Sequence, residues 1–431
     1  MSQREDTSVG LASTLAIGIG GMVGGGIFAV LGLSVSLAKG GAPVAFALAG
    51  GVALITAYAY ARLSVAFPSQ GGTVEFLNHA FGTGLFTGSM NVLLWLSNVV
   101  MLSLYAFAFG SYAASFMPEA SQPLWSHLFS SAVVLLLTAL NALSANIVGD
   151  VEEWIVGIKL AILGLFVAVG LFSVETAKLA PQAWAQPLSL VAGGMVIFVA
   201  YEGFELIANT AEDVRDPKKN LPRAYFGAVG FVVLLYVLVS VVTVGNLSVD
   251  KISQAKDYAL AAAAKPFLGQ FGFTLIAVAA MLSTASAISA TLYGSMRVSY
   301  IIAKDGELPD ELERKIWDRP LEGLFISAGA TLLVTNLFDL SSISTMGSAG
   351  FLFIFAAVNV ANARMAEETQ SRAWISWVGA ALCLGALGTL VWQVATSQPT
   401  HLWILAGLAA LAVGIEATYR KLSGRKLVAA H

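Results

Sequence analysis

The sequence predicts an all-α integral membrane protein of twelve transmembrane helices, arranged as a 5+5 inverted repeat in which helices 1 and 6 are discontinuous. Three observations carry this. The chain of 431 residues is 57% hydrophobic and 11% charged, with mean hydropathy +0.78, whereas a soluble domain carries about 25% charged residues. Apolar segments of about 20 residues, the length that crosses a bilayer, recur twelve times along the chain. Two of them, the first and the sixth, are interrupted by glycine near mid-membrane.

Span 1 (11–37) contains the run from Gly18 to Phe28, with glycine at 18, 20, 21, 24, 25 and 26. Glycine costs roughly 0.8–1 kcal/mol against alanine inside a helix, so three in a row predict a broken one. Unwound backbone at membrane depth survives only where it is buried in protein or lines an aqueous cavity. The freed N–H groups of the second half-helix then form an anion site and the freed carbonyls a cation site, which is the design of a substrate-binding break in a transporter. Two plainer readings compete. Gly24–Ala29 fits the dinucleotide fingerprint G-x-G-x-x-A, but no strand precedes it. Glycine is also a close helix-packing surface in membranes.

The remaining spans follow at 43–67, 82–116, 125–146, 150–173, 189–210, 224–246, 270–302, 321–338, 342–364, 372–396 and 401–419. Phe67 to Gly82 reads as a connection with amphipathic character. Val249 to Leu268 reads as an outer loop with an alanine-rich helical middle, closed by Lys265-Pro266, that lies as a lid over an outer vestibule. Asp305-Gly306-Glu307-Leu308-Pro309 opens a polar inner loop running to Pro320. With the N-terminus inside, 17 basic residues fall on the inner side and five (Lys39, Lys178, Lys251, Lys256 and Lys265) on the outer side. This bias predicts cytoplasmic termini. The basic residue left over is Lys159, inside span 5.

Span 6 holds Phe198-Val199-Ala200-Tyr201-Glu202-Gly203-Phe204-Glu205, a glycine flanked by two glutamates. It is the counterpart of the glycine run, and interrupted segments at corresponding places mark an inverted repeat with its site between the halves. The organisation expected is a cytoplasmic N-terminus (1–10), a first repeat (11–173), a second repeat (189–364), two appended spans (372–419) and a cytoplasmic tail (420–431). The short polar start, without a small-residue cleavage site, reads as leading into an uncleaved anchor.

Net charge is −3 with no basic tract, which argues against a nucleic-acid partner. Cys383 is the only cysteine, so no internal disulfide forms. Histidines 79, 127, 401 and 431 show no metal-ligand spacing, so no metal and no cofactor is expected.

Four stretches resemble the amino acid–polyamine–organocation (APC) transporter superfamily. They are Gly24-Gly25-Gly26-Ile27-Phe28; Tyr60-Ala61-Arg62-Leu63 with Phe67-Pro68, Gly71-Gly72 and Ala80-Phe81-Gly82; Tyr201-x-Gly203-Phe204 with Glu212-Asp213-Val214, Asp216–Asn220 and Pro222-Arg223-Ala224; and Lys159-Leu160. Ala264–Gly269 and Ala303–Pro309 are similar to archaeal proton-coupled amino-acid transporters of that superfamily. The resemblance covers spans 1–10. It implies the LeuT-type fold, with spans 1, 2, 6 and 7 as a bundle rocking against spans 3, 4, 5, 8, 9 and 10, and it makes Asp216–Arg223 a hinge at the cytoplasmic gate.

An amino-acid zwitterion needs donors for its carboxylate and acceptors for its ammonium. The amides of Gly24, Gly25 and Gly26 supply the first, and carbonyls near Met22, Val23 and Val199–Glu202 the second; the resemblance places the substrate among these residues with Ile27, Tyr201, Gly203 and Phe204. Glu202 departs from the superfamily pattern, where a small or apolar residue stands. A carboxylate at that depth costs about 2.5–3.5 kcal/mol or more unless hydrated or paired. It reads either as a water-facing or paired residue, or as a group that favours cationic side chains and amines, or as a proton carrier. Lys159 either snorkels to the inner face or, as the resemblance implies, places its ammonium where sodium-coupled relatives bind their ion, on the Gly20 carbonyl and the hydroxyls of Ser283, Thr284 and Ser286. An amine in that position loads and releases a proton. Asn91, Trp95, Asn98 and Tyr105 of span 3 read as packing or, with Phe204, as pocket walls.

The function expected is proton-coupled symport of amino acids across the cytoplasmic membrane, with broad or cation-leaning specificity and no catalytic residues. The alternatives are a sodium-independent amino acid or polyamine exchanger and a transporter-fold sensor. An enzyme would need a nucleophile–base pair or metal cluster that the spans lack. Cys383 lies outside the outer loop where a cysteine bridging to a partner subunit is expected, so no obligate partner is inferred.

Overall fold

The computed structural model describes residues 9–143, 147–304 and 321–423, with side chains described except at 147–153, 256, 297–304 and 422–423. The expectations placed on 1–8, on the inner loop from Asp305 to Pro320 and on the tail beyond 423 lie outside these residues.

The chain opens with α1 (Leu11–Met22) and α2 (Gly26–Ala38), which meet at a 46° bend. Then come α3 (Ala42–Ala66), the short α4 (Thr73–Phe81), α5 (Leu85–Ala114), α6 (Gln122–Leu143) and α7 (Ile147–Gly170). α8 (Pro187–Val196) is followed at a 49° bend by tight 3-10 turns, Phe198–Tyr201 and Phe204–Asp213. The chain continues through α9 (Pro217–Asn246), α10 (Val249–Gln254), α11 (Ala259–Lys304), α12 (Leu321–Leu337), α13 (Leu340–Arg364), α14 (Ala373–Ser397) and α15 (His401–Ser423). Among the described residues, nine helices are long and apolar enough to cross a membrane, and the two bent pairs bring the number to eleven. α12, with 17 residues, is the remaining apolar helix, at the lower end of spanning length. Extended pairing among the described residues is confined to isolated bridges, Val9 with Val214 and Lys39 with Trp184.

Local chemistry sets the boundaries. α9 starts at Pro217 rather than at 224, because proline suits the first turn of a helix and Asp216 precedes it in a left-handed conformation (φ 48°). The carbonyl of Asp216 accepts from the N–H groups of Lys219 and Asn220, both at 2.9 Å. The connection expected between 67 and 82 contains α4, which buries Val74, Phe76 and Leu77 and stops at Gly82. α11 joins the alanine-rich stretch and span 8 into one helix bent at Gly269, whose φ of 62° is reached without strain by glycine.

The packing is inside-out relative to a soluble protein. α13 and α5 form the centre, 89% and 83% buried, whereas α15 is 11% buried and presents Trp403 and Leu411 outward. α3 lies along α8 and α9, α2 along α8, and α1 along α9; α5 is surrounded by α6, α11, α12 and α13, and α7 packs on α11. The two bends meet between these groups.

Candidate functional site

The end of α1 shows how the first break is held open. A helix leaves its last four carbonyls without intrahelical partners, and here each has one. The Val23 N–H donates to Ile19 O (2.8 Å) and the Gly24 N–H to Gly21 O (3.2 Å). Lys159 Nζ donates to Gly20 O (3.1 Å) and the Tyr236 hydroxyl to Met22 O (2.7 Å). Beyond the helix end, the Ser283 hydroxyl donates to Val23 O (2.9 Å) and makes a very short contact with Gly24 O. Side chains from α7, α9 and α11 therefore take over the work of the missing turn. Each carbonyl has a second lone pair, so Met22 and Val23 are still able to accept from an ammonium.

Lys159 is 2% exposed. It shares an inward face of α7 with Val156, Leu163 and Phe166, while Trp154, five residues earlier on another face, is 77% exposed. The side chain thus points into the protein and not along the lipid face. The negative end of the α1 dipole complements its charge. Of the hydroxyls expected around it, Ser283 donates to the first break, and Thr284 donates within its own helix to Ala280 O (2.8 Å) and Met281 O (3.1 Å). Ser286 is half-buried on the same helix.

The donor side of the break is the start of α2. Among the described residues, no backbone acceptor faces the N–H groups of Gly25, Gly26 and Ile27, as the start of a helix requires. These amides are closely covered. A Cβ at Gly26 would stand 2.7 Å from Ala200 Cα, and one at Gly25 would run into the Tyr105 ring. Ligand access to Gly25 therefore requires movement of Tyr105.

The second break is held differently. Val196 O accepts from the hydroxyls of Ser344 (2.7 Å) and Ser348 (2.8 Å), and the Val199 N–H donates to Ser348 Oγ (3.0 Å). Glu202 carries extended backbone (ψ 150°), and Gly203 turns the chain with φ 114°. The Gly203 N–H donates to Glu205 Oε2 at 2.8 Å. Glu202 and Glu205 are each 6% exposed, and their carboxyl groups lie close enough to influence one another. The Tyr105 hydroxyl donates to Glu202 Oε2 at 3.4 Å.

The breaks touch backbone to backbone. A Cβ at Gly21 would stand 2.8 Å from Gly203 O, and one at Gly203 would stand 2.6 Å from Met22 N. The glycine run is thus both a helix break and a close-packing surface.

Met22, Val23, Gly24, Gly25, Gly26, Ile27, Val199, Tyr201, Glu202 and Gly203 all lie at this junction and are buried. Tyr201 donates its hydroxyl to Phe46 O at 2.8 Å. Phe204 packs in an aromatic cluster, 5.4 Å from Tyr60 and 5.2 Å from Phe355. Of the span 3 candidates Tyr105 reaches the breaks. Trp95 donates to Ser327 Oγ (3.0 Å) on α12, and Asn91 to Asn78 Oδ1 (3.3 Å) on α4. Tyr236, Ser344 and Ser348 were missed, because one tyrosine or serine in an apolar span looks like packing. Glu205, which caps the turn at Gly203, has a signal in the sequence: an acid two residues after a glycine that opens a half-helix.

A helical membrane protein with two interlocked breaks, helix-start amides on one side and carboxyl groups on the other, belongs to the class of membrane transporters with a buried polar site. The amino acid permease family profile matches residues 9–413. The chain is 34% identical over 430 residues to uncharacterized protein MJ0609 of Methanocaldococcus jannaschii, covering 98% of this chain and 97% of that one. It is 33% identical over 404 residues to the inner membrane transport protein YbaT of Escherichia coli, covering 93% and 94% of the two chains. It is 29% identical over 356 residues to the Asc-type amino acid transporter 1 of Mus musculus, covering 77% and 65%. The chain belongs to the amino acid permease family, within the APC superfamily: it is a multi-pass membrane transporter of amino acids rather than an enzyme.

Proposed function

We propose that this permease is a proton-coupled symporter of amino acids, leaning towards cationic side chains and amines, that works by alternating access across the cytoplasmic membrane with both termini inside. The single observation that carries the coupling is Lys159 Nζ at 3.1 Å from Gly20 O, on a side chain that is 2% exposed. An amine with three donors can use carbonyls that would otherwise ligate a sodium ion, and its protonation biases the backbone of the first break. The amides of Gly25 and Gly26, at the start of α2, receive the substrate carboxylate. Glu202, next to Glu205, receives an ammonium. The repeats are 11–173 and 189–364, and α1, α2, α3, α8 and α9 move as the bundle; their mutual packing supports that grouping. No partner subunit is required.

The test is uptake of labelled neutral and cationic amino acids and putrescine into proteoliposomes, under an imposed proton gradient or an imposed sodium gradient. Proton-driven uptake that is abolished in Lys159→Ala, with the variant still monodisperse and thermally stable, is the expected result. Uptake driven only by sodium, or proton-driven uptake undiminished in Lys159→Ala, overturns the coupling. Uptake seen only after preloading with substrate identifies an exchanger.

A further inference from the structure

Basic residues are scarce on the side of the molecule that the charge bias assigns to the outside, yet three of the five lysines counted there meet around one cleft. Its volume is about 610 Å³, and Lys178, Lys251 and Lys265 all line it. They come from three separate elements: the 3-10 turn Thr176–Leu179, α10, and the first limb of α11. Its described lining contains no carboxylate. At the rim Glu175 pairs with Lys178 at 2.9 Å, and Lys265 Nζ lies 4.4 Å from the centre of the Phe273 ring. Like charges gathered from distant parts of a chain repel one another, and an anion in the cleft reverses that penalty.

The floor of the cleft is built. Asn246 lines it and spends both amide protons on backbone, donating to Gly170 O (3.0 Å) and Val242 O (2.9 Å). This ties the cleft to the end of α7, where the chain runs on to Phe172, which is 95% exposed. On the other flank, one and a half turns beyond Lys265, Phe271 is 71% exposed. These two exposed apolar side chains, close in sequence to elements of the cleft, suit acyl chains.

We propose that this cleft is a binding site for a phosphate-bearing anion, held by Lys178, Lys251 and Lys265. The group comes either from the headgroup of an anionic phospholipid, with its acyl chains beside Phe172 and Phe271, or from free inorganic phosphate. Occupancy joins the turn after α7 to the segment 249–268. That segment packs on α2 through α10 and residues 256–258, with Ser36 Oγ 3.4 Å from Ser253 Oγ. The anion fastens this segment over the first broken helix. The site is independent of which ion drives transport.

The experiment is native mass spectrometry of the purified full-length protein in neutral detergent, titrated separately with phosphatidylglycerol, phosphatidylcholine and inorganic phosphate. The triple variant Lys178→Gln/Lys251→Gln/Lys265→Gln is compared with the corresponding triple arginine variant. Expected are saturable adducts of phosphatidylglycerol or of phosphate on the wild type and on the arginine variant. The glutamine variant binds roughly a hundredfold more weakly, about fivefold per lysine. Which probe binds identifies the source. Equal retention of phosphatidylglycerol and phosphatidylcholine, binding undiminished in a glutamine variant whose melting temperature matches wild type, or no saturable adduct with either anion overturns the proposal.

Discussion

The two breaks solve one problem with different material. At the first, Met22 to Gly25, the helix ends in backbone alone, and its freed carbonyls are met by donors reaching in from α7, α9 and α11. At the second, Ile197 to Gly203, the chain supplies its own acid, since Glu205 accepts from the Gly203 N–H, and one neighbour, α13, holds the turn with two serines. The first break therefore offers amides and borrows its charge from Lys159. The second brings carboxyl groups within its own sequence. A zwitterion, with one anionic and one cationic end, fits between surfaces made in this way.

The sharpest way to break the comparison is to attack the point where the two meet. Gly203→Ala places a side chain on a residue with φ 114°, and its Cβ would stand 2.6 Å from Met22 N, with backbone and no flexible side chain to give way. Backbone strain of this kind costs of order 1–3 kcal/mol before the clash is counted. We expect the yield of folded protein to fall severely and uptake to drop below about a tenth of wild type. Gly164→Ala is the control, because nothing lies within 4 Å of the added atom and the helix gains about 0.8–1 kcal/mol of propensity. Thermal stability and uptake measured side by side decide it: wild-type values in Gly203→Ala would mean that the breaks do not interlock.

The parts legible in the sequence are those that the bilayer itself constrains. Backbone at membrane depth must be satisfied within the protein, so glycine clusters at 24–26 and 203 stand out against an apolar background, and hydropathy places the twelve apolar stretches. Lys159 stood out as an ammonium too deep to be ignored. What stayed hidden were partners chosen by the fold across long separations. Nothing near Met22 in the chain announces Tyr236, and nothing near Val196 announces Ser348. The orientation of α5 was equally illegible. It is buried nearly all round, so periodicity does not tell that Tyr105 faces the breaks while Asn91 and Trp95 bond to α4 and α12. The ring contacts of Phe204 were equally illegible, since its partners Tyr60 and Phe355 come from α3 and α13.

Glu202→Gln sharpens the chemical contrast with a smaller effect. The amide keeps the volume and still accepts from the Tyr105 hydroxyl, but the second break loses one of its two acids. A hydrogen bond to a charged group contributes about 1.5–3 kcal/mol, so the KM for cationic amino acids should rise about tenfold while that for neutral ones changes little. An unchanged ratio between the two substrate classes would make Glu202 a structural partner of Tyr105 and Glu205 and leave substrate charge to be read elsewhere.

The smallest effect separates two serines that share one carbonyl. Ser344 and Ser348 both donate to Val196 O, but only Ser348 also accepts from the Val199 N–H, at 3.0 Å. Ser344→Ala leaves Val196 O with its other donor, and a shared acceptor loses only a few tenths of a kcal/mol up to about 1. Ser348→Ala leaves Val196 O to Ser344 but strips the Val199 N–H of its acceptor, and an orphaned buried donor costs about 1–3 kcal/mol. The order expected in thermal unfolding of the purified protein is wild type, then Ser344→Ala, then Ser348→Ala. Equal losses would mean that the carbonyl alone matters. The second break would then resemble the first, held by its acceptors, and Val199 N–H would have another partner once the serine is gone. The predicted inequality instead makes the second break a turn pinned at both its donor and its acceptor by one hydroxyl.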